Sequence, residues 1–121
     1  LRILNLSNNQ LSTLPFANDR SDLNKLQELY LTCNDLKDDI CHTLSRFERL
    51  KILHLAYNRL EYLDESALSK LISLTELNLS GNLLKLLPME ALNKMENLEI
   101  LCAHSNKLEI LPDFRKLNLL K

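Results

Sequence analysis

The chain has 121 residues and a formal net charge of −1; 45% of residues are hydrophobic, only 5% are aromatic and none is Trp. That length suits about one domain with an aliphatic core, and mixed charge of this kind lacks the basic stripe that a nucleic-acid partner needs. The longest apolar run, Leu83 to Met89, is broken by Lys85 and Pro88, well short of the roughly 20 residues of a membrane span, so no membrane insertion is expected.

The chain opens directly on a patterned segment. LRILNLSNNQL, from Leu1, alternates with period two, which predicts a short strand with Leu4 and Leu6 inward. The same frame, L-x-x-L-x-L-x-x-N-x-L, returns four times. The copies are LQELYLTCNDL from Leu26, LKILHLAYNRL from Leu50, LTELNLSGNLL from Leu74 and LEILCAHSNKL from Leu98. Their inward pairs are Leu29/Leu31, Leu53/Leu55, Leu77/Leu79 and Leu101/Ala103. The frame asparagines Asn9, Asn34, Asn58, Asn82 and Asn106 lie 25, 24, 24 and 24 positions apart by subtraction of their numbers. A fixed period of ~20–29 residues carrying this frame is the leucine-rich-repeat signature.

Between strands the period changes. The first return, FANDRSDLNKLQ, is the most polar and is expected to be the least ordered. DDICHTLSRFERL places Ile40, Leu44 and Phe47 on one face, DESALSKLISL does so with Ala67, Leu71 and Leu74, and PMEALNKMENL with Ala91, Met95 and Leu98. Spacings of three and four predict short helices. Asp64 or Asp39 suits a helix cap, and Pro88 a first helical turn. From Leu98 to Leu120 is only 22 positions, so the fifth return is expected to be 3₁₀ or irregular.

These elements specify an α/β fold: a right-handed leucine-rich-repeat solenoid. It has a curved parallel sheet on its concave face and short helices and irregular turns on its convex face. The array covers residues 1–121, with a partial sixth repeat from Leu120. Neither end carries a polar cap of the kind a solenoid needs, so the expected setting is an uncapped piece of a longer array, flanked by repeats of the same parent.

The asparagines Asn9, Asn34, Asn58, Asn82 and Asn106 turn the chain at the end of each strand. Their amides are suited to bond backbone groups left unpaired there, forming a structural ladder. Alternation then exposes three columns on the concave face. They are Ile3, Glu28, Ile52, Glu76, Ile100; then Asn5, Tyr30, His54, Asn78, Cys102; then Ser7, Thr32, Ala56, Ser80, His104. Rungs ~4.8 Å apart make one continuous patch. Glu28, Tyr30, Ile52, His54, Glu76, Asn78, Ile100 and His104 are the candidate partner-binding residues. Aromatic and partly apolar centres suit protein interfaces, and two glutamates favour a partner of basic character.

Chemistry fares worse. Cys102 and His104 share a face of one strand, but zinc needs about four ligands. His54 and His104 are two rungs apart. No Ser, His and acid occupy adjacent columns as a triad requires. One glycine, Gly81, is too few for a phosphate-cradling loop. No catalytic residue, metal or cofactor is assigned to the segment. Three scattered cysteines, Cys33, Cys41 and Cys102, make no disulfide framework and favour a reducing compartment. Asn5-Leu6-Ser7 and Asn78-Leu79-Ser80 match the glycosylation sequon only because the frame generates it.

Four stretches narrow the family: LQELYLT (Leu26 to Thr32), LKILHLAYNRL (Leu50 to Leu60), ELNLSGNLLK (Glu76 to Lys85) and AHSNKLEILP (Ala103 to Pro112). In this order they resemble the repeat array of the PH-domain leucine-rich-repeat protein phosphatases. AHSN is the most specific, since it puts Ala103 where the frame wants Leu. The resemblance implies a cytoplasmic signalling protein with a metal-dependent Ser/Thr phosphatase domain after the repeats. That domain would act on kinases such as Akt and protein kinase C, with the repeats as a protein-interaction scaffold. A stand-alone scaffold or small-GTPase-binding repeat protein, or a receptor ectodomain, are the alternative settings.

Overall fold

In a computed structural model, residues 2–14 and 25–109 are described. Five strands, β1 (Ile3–Asn5), β2 (Glu28–Tyr30), β3 (Ile52–His54), β4 (Glu76–Asn78) and β5 (Ile100–Cys102), form one sheet in chain order. Every neighbouring pair is parallel. Three helices, α1 (Ile40–Leu44), α2 (Glu65–Leu68) and α3 (Met89–Leu92), lie in the returns. Parallel neighbours require a crossover between strands, and here each return supplies it.

The register follows the repeat. Ile3 partners Glu28, Glu28 partners Ile52, Ile52 partners Glu76, and Glu76 partners Ile100. A shift of one residue would put every inward leucine on the other face. Leu29, Leu31, Leu53 and Leu55 are fully buried, and Leu77 and Leu79 nearly so. Leu4, Leu6, Leu101 and Ala103 are partly buried against the same core. From the returns, Ile40, Leu44, Phe47, Ala67, Leu71, Leu74, Ala91, Met95 and Leu98 are among the residues that join it.

One expected cap forms, and two other positions differ from expectation. Asp64 caps α2: its backbone is extended (ψ 108) and its carboxylate accepts from the Ser66 and Ala67 amides. The Ser66 hydroxyl, with those amides adding to it, holds its carboxyl below the ordinary carboxylate range. Asp39 caps nothing. Its ψ of −11 is already helical, so its side chain cannot fold back onto the first turn. The neighbouring Asp38 instead reaches the next repeat, where its Oδ1 accepts from the Glu61 and Tyr62 amides at 2.8 and 3.0 Å. Pro88 sits one position before α3, at its N-cap. Its carbonyl accepts from Leu92 at 2.9 Å, and Glu65 of the preceding repeat accepts the Glu90 amide at 2.9 Å.

The strand ends share a feature that the frame does not announce. Asn8, Cys33, Tyr57, Gly81 and Ser105, each just before a frame asparagine, have φ between 57 and 69. At Gly81 space is tight as well: a Cβ there would lie 2.3 Å from the Tyr57 ring, which would have to shift. The first return and the fifth return lie largely outside the described residues.

Candidate functional site: the outer face of the sheet

The frame asparagines act on the backbone. Each of Asn34, Asn58, Asn82 and Asn106 donates from Nδ2 to the carbonyl three residues before it and to the matching carbonyl one repeat earlier. Each also accepts, through Oδ1, an amide of the preceding repeat: Leu11, Leu36, Leu60 and Leu84 in turn. Asn9 is exposed and donates to Leu6 and Ser7. Repeat is thus tied to repeat, which fixes the rungs on which the surface side chains stand.

On that surface four side chains meet. The Tyr30 hydroxyl donates to Glu28 Oε1 at 2.6 Å. His54 Nε2 pairs with Glu76 Oε2 across β3 and β4. The Tyr30 and His54 rings meet edge to face, centroids 5.0 Å apart and planes at 87°. Such a ring pair adds about 0.5–1.5 kcal/mol beyond area burial. Two carboxylates therefore flank two rings, with Ile52 between the glutamates in the register.

Of the remaining candidates, Asn78 and Ile100 are the register neighbours of His54 and Glu76. Asn78 turns its Oδ1 to the Ser80 amide at 3.0 Å. Ile100 is 43% exposed, and exposed His104 has its Nδ1 3.1 Å from the Ser105 hydroxyl. The third column is not open throughout: Ala56 and Ser80 are buried. Their side chains are too short to clear the larger groups beside them. Tyr57, exposed and lying on Gly81, was not among the sequence candidates; the one glycine at that frame position was its only signal.

Among the described residues no group of three or more His, Cys, Asp and Glu could hold a metal ion. Cys41 is buried, and burial pushes its thiol up to about 11, away from a reactive thiolate. No helix of the described residues is long and apolar enough to cross a membrane.

Glu28 sets the titration of Tyr30. Its hydrogen bond, with burial second, pushes the phenol up from 10.0 to about 12. The raised value means that the stabilisation is complete below pH 10.0 and is lost as pH rises toward about 12. An NMR titration of the Tyr30 ring should give a midpoint near 12, and Glu28→Gln should bring it back toward 10.0. Equal midpoints in the two proteins would count against the bond.

The comparisons agree with this architecture. A sequence profile described as leucine rich repeat matches residues 24–84 and 48–108, and a second of the same description matches residues 1–18. The chain belongs to the leucine-rich-repeat family. Within that family it is similar to "PH domain leucine-rich repeat protein phosphatase 1" of Rattus norvegicus, 51% identical over 67 residues, 54% of this chain and 4% of the relative. The Homo sapiens counterpart is 49% identical over the same share. The chain thus spans 4% of the curated relatives it matches. Among solved structures, a repeat protein of Leptospira interrogans is similar over 100% of this chain and 36% of that one, with a TM-score of 0.79 and 30% identity. The leucine-rich repeat domain of APL1B shares the fold, covering 98% of this chain and 34% of its own at a TM-score of 0.86 and 24% identity.

Proposed function

We propose that the chain is the repeat segment of a cytoplasmic protein phosphatase and that its outer sheet face captures a protein partner. The cluster of Glu28, Tyr30, His54 and Glu76 on adjoining strands carries the surface assignment. Aromatic groups flanked by polar ones are what protein interfaces use at their centres and rims. The likeness to the phosphatase relatives supports the setting. In that setting the Ser/Thr phosphatase chemistry, on kinases such as Akt, belongs to a domain outside this segment. The repeats bring the substrate or a regulator to it.

The opposite flank is a weaker candidate. Lys37, Asp38, Arg59, Glu61 and Leu83 line a shallow depression there, but two of its charged groups serve the fold. Arg59 pairs with Asp35 at 3.5 Å, and Asp38 holds two backbone amides.

Ile52→Arg should reduce partner capture by the immobilised chain by about tenfold or more, a loss typical of a central interface residue. Ile72→Arg, at an exposed position of the return, should leave capture unchanged. Equal capture by both variants would remove the sheet face from consideration. A parent gene without a phosphatase domain would remove the setting.

A further inference from the structure

Resting on the sheet face as the docking surface, we infer that the partner presents an arginine whose guanidinium is held between the carboxylates of Glu28 and Glu76, against Ile52 and the Tyr30–His54 ring pair. The first reason is charge. The chain has 15 Lys and Arg residues, and none falls on any of the three surface columns. Glu28 and Glu76 are the acids there, so with His54 and His104 neutral the face is anionic and carries no Lys or Arg of its own. Elsewhere Asp35 pairs with Arg59, and Asp64 caps α2. The two glutamates bond to rings instead.

The second reason is preorganisation. Tyr30 engages Oε1 of Glu28 and His54 engages Oε2 of Glu76, which fixes both carboxylates while leaving the second oxygen of each outside these pairs. Glu76 and His54 side chains are 29% and 24% exposed, so solvent screens the pair only in part. A bound cation meets carboxylates already in position and costs little ordering.

The third reason selects arginine over lysine. Glu28 and Glu76 stand on β2 and β4, with Ile52 of β3 between them, which places their backbones two rungs or roughly 9.6 Å apart. Glu76, turned toward His54 on the intervening strand, narrows that gap from one side. A guanidinium is planar, presents five N–H donors on several edges and stacks on aromatic rings, whereas an ammonium is a compact point charge. The aliphatic stem of arginine lies on Ile52 while its head spans the two acids.

The test uses three fluorescein-labelled peptides of one length, alternating leucine with arginine, with citrulline (its neutral isostere) or with glutamate. Binding to the chain is read by fluorescence anisotropy. The arginine peptide should bind about tenfold more tightly than the citrulline peptide, as charge-assisted bonds to two carboxylates require. Glu28→Gln with Glu76→Gln should abolish that difference, while Glu61→Gln on the other flank should preserve it. Ile52→Arg, which supplies a guanidinium between the two acids from within, should block the arginine peptide with an unchanged circular dichroism melt. Equal binding of the arginine and citrulline peptides, a preference that survives the double substitution, preference for the glutamate peptide, or no binding by any of the three overturns the inference. A citrulline peptide that binds as well as the arginine one, and is lost with Ile52→Arg, removes the arginine but keeps the docking face. Peptides that bind equally well to every sheet-face variant remove both.

Discussion

Leu55→Ala should lower the unfolding free energy by about 2–5 kcal/mol, the range for truncating a fully buried leucine. Leu55 is 0% exposed and follows β3, the middle strand of the sheet. Two effects add: lost transfer of the leucine atoms from water, and the cavity left behind. The cavity term should be near its upper end because the walls cannot close. The backbone carbonyl of Leu55 is gripped by the amides of both Asn58 and Asn82. The neighbouring rungs are gripped in the same way at Leu31 and Leu79. Leu6→Ala, at a partly exposed position packed on the same core, should cost distinctly less. Urea denaturation of the two variants measures the difference. A Leu55→Ala protein as stable as the Leu6→Ala protein would contradict the inward assignment of this leucine and the rigidity of its surroundings.

Why so much of the architecture was legible follows from the same packing. A frame that alternates with period two and returns after 24 residues leaves one register that buries every inward leucine. The first two columns drawn from the sequence are accordingly Cα partners across the strands. What the frame does not carry is local backbone geometry. Asp39 and Asp64 look alike as capping residues, and only the difference between ψ −11 and ψ 108 decides which one caps. The third column illustrates another limit. Alternation puts Ala56 and Ser80 on the outer face, yet exposure depends on side-chain length relative to neighbours, and both are covered. Likewise the frame sets Glu28, Tyr30, His54 and Glu76 on adjoining rungs, but rotamers choose the partners. Glu76 turns back across the strand gap to His54, while Glu28 pairs along its own strand with Tyr30. The left-handed residues before each asparagine were hidden for a related reason. Cys33, Tyr57 and Ser105 occupy a conformation that their residue types do not advertise, and only Asn8 and Gly81 suit it.

Asn82→Ala should cost about 1–3 kcal/mol, the penalty for one buried polar group left without a partner. It orphans the Leu60 amide, while the carbonyls of Leu55, Leu79 and Ser80 keep second donors in Asn58, Asn106 and Tyr57. The side chain is 3% exposed. Its Nδ2 donates to Leu55 O and Leu79 O at 3.0 Å each and to Ser80 O at 3.2 Å. Its Oδ1 accepts the Leu60 amide at 3.1 Å. Leu55 and Leu60 belong to one repeat and Leu79 and Ser80 to the next, so a single carboxamide joins the two. Alanine removes every one of these bonds at a site that water does not reach. Asn82→Asp separates the contributions. It retains the acceptor for Leu60 but loses the donor, and it sets a carboxylate against carbonyl oxygens, so it should be no more stable than the alanine variant near neutral pH. At low pH the protonated acid regains one donor, and the gap from wild type should narrow. Asn9→Ala is the control, because Asn9 is exposed and water can replace its bonds to Leu6 and Ser7. Denaturant titration gives the free energies, and amide exchange at Leu60 reports the orphaned N–H directly. If Asn82→Ala matches Asn9→Ala in stability and leaves Leu60 exchange unchanged, the asparagine column is a by-product of the turn and not what ties repeat to repeat.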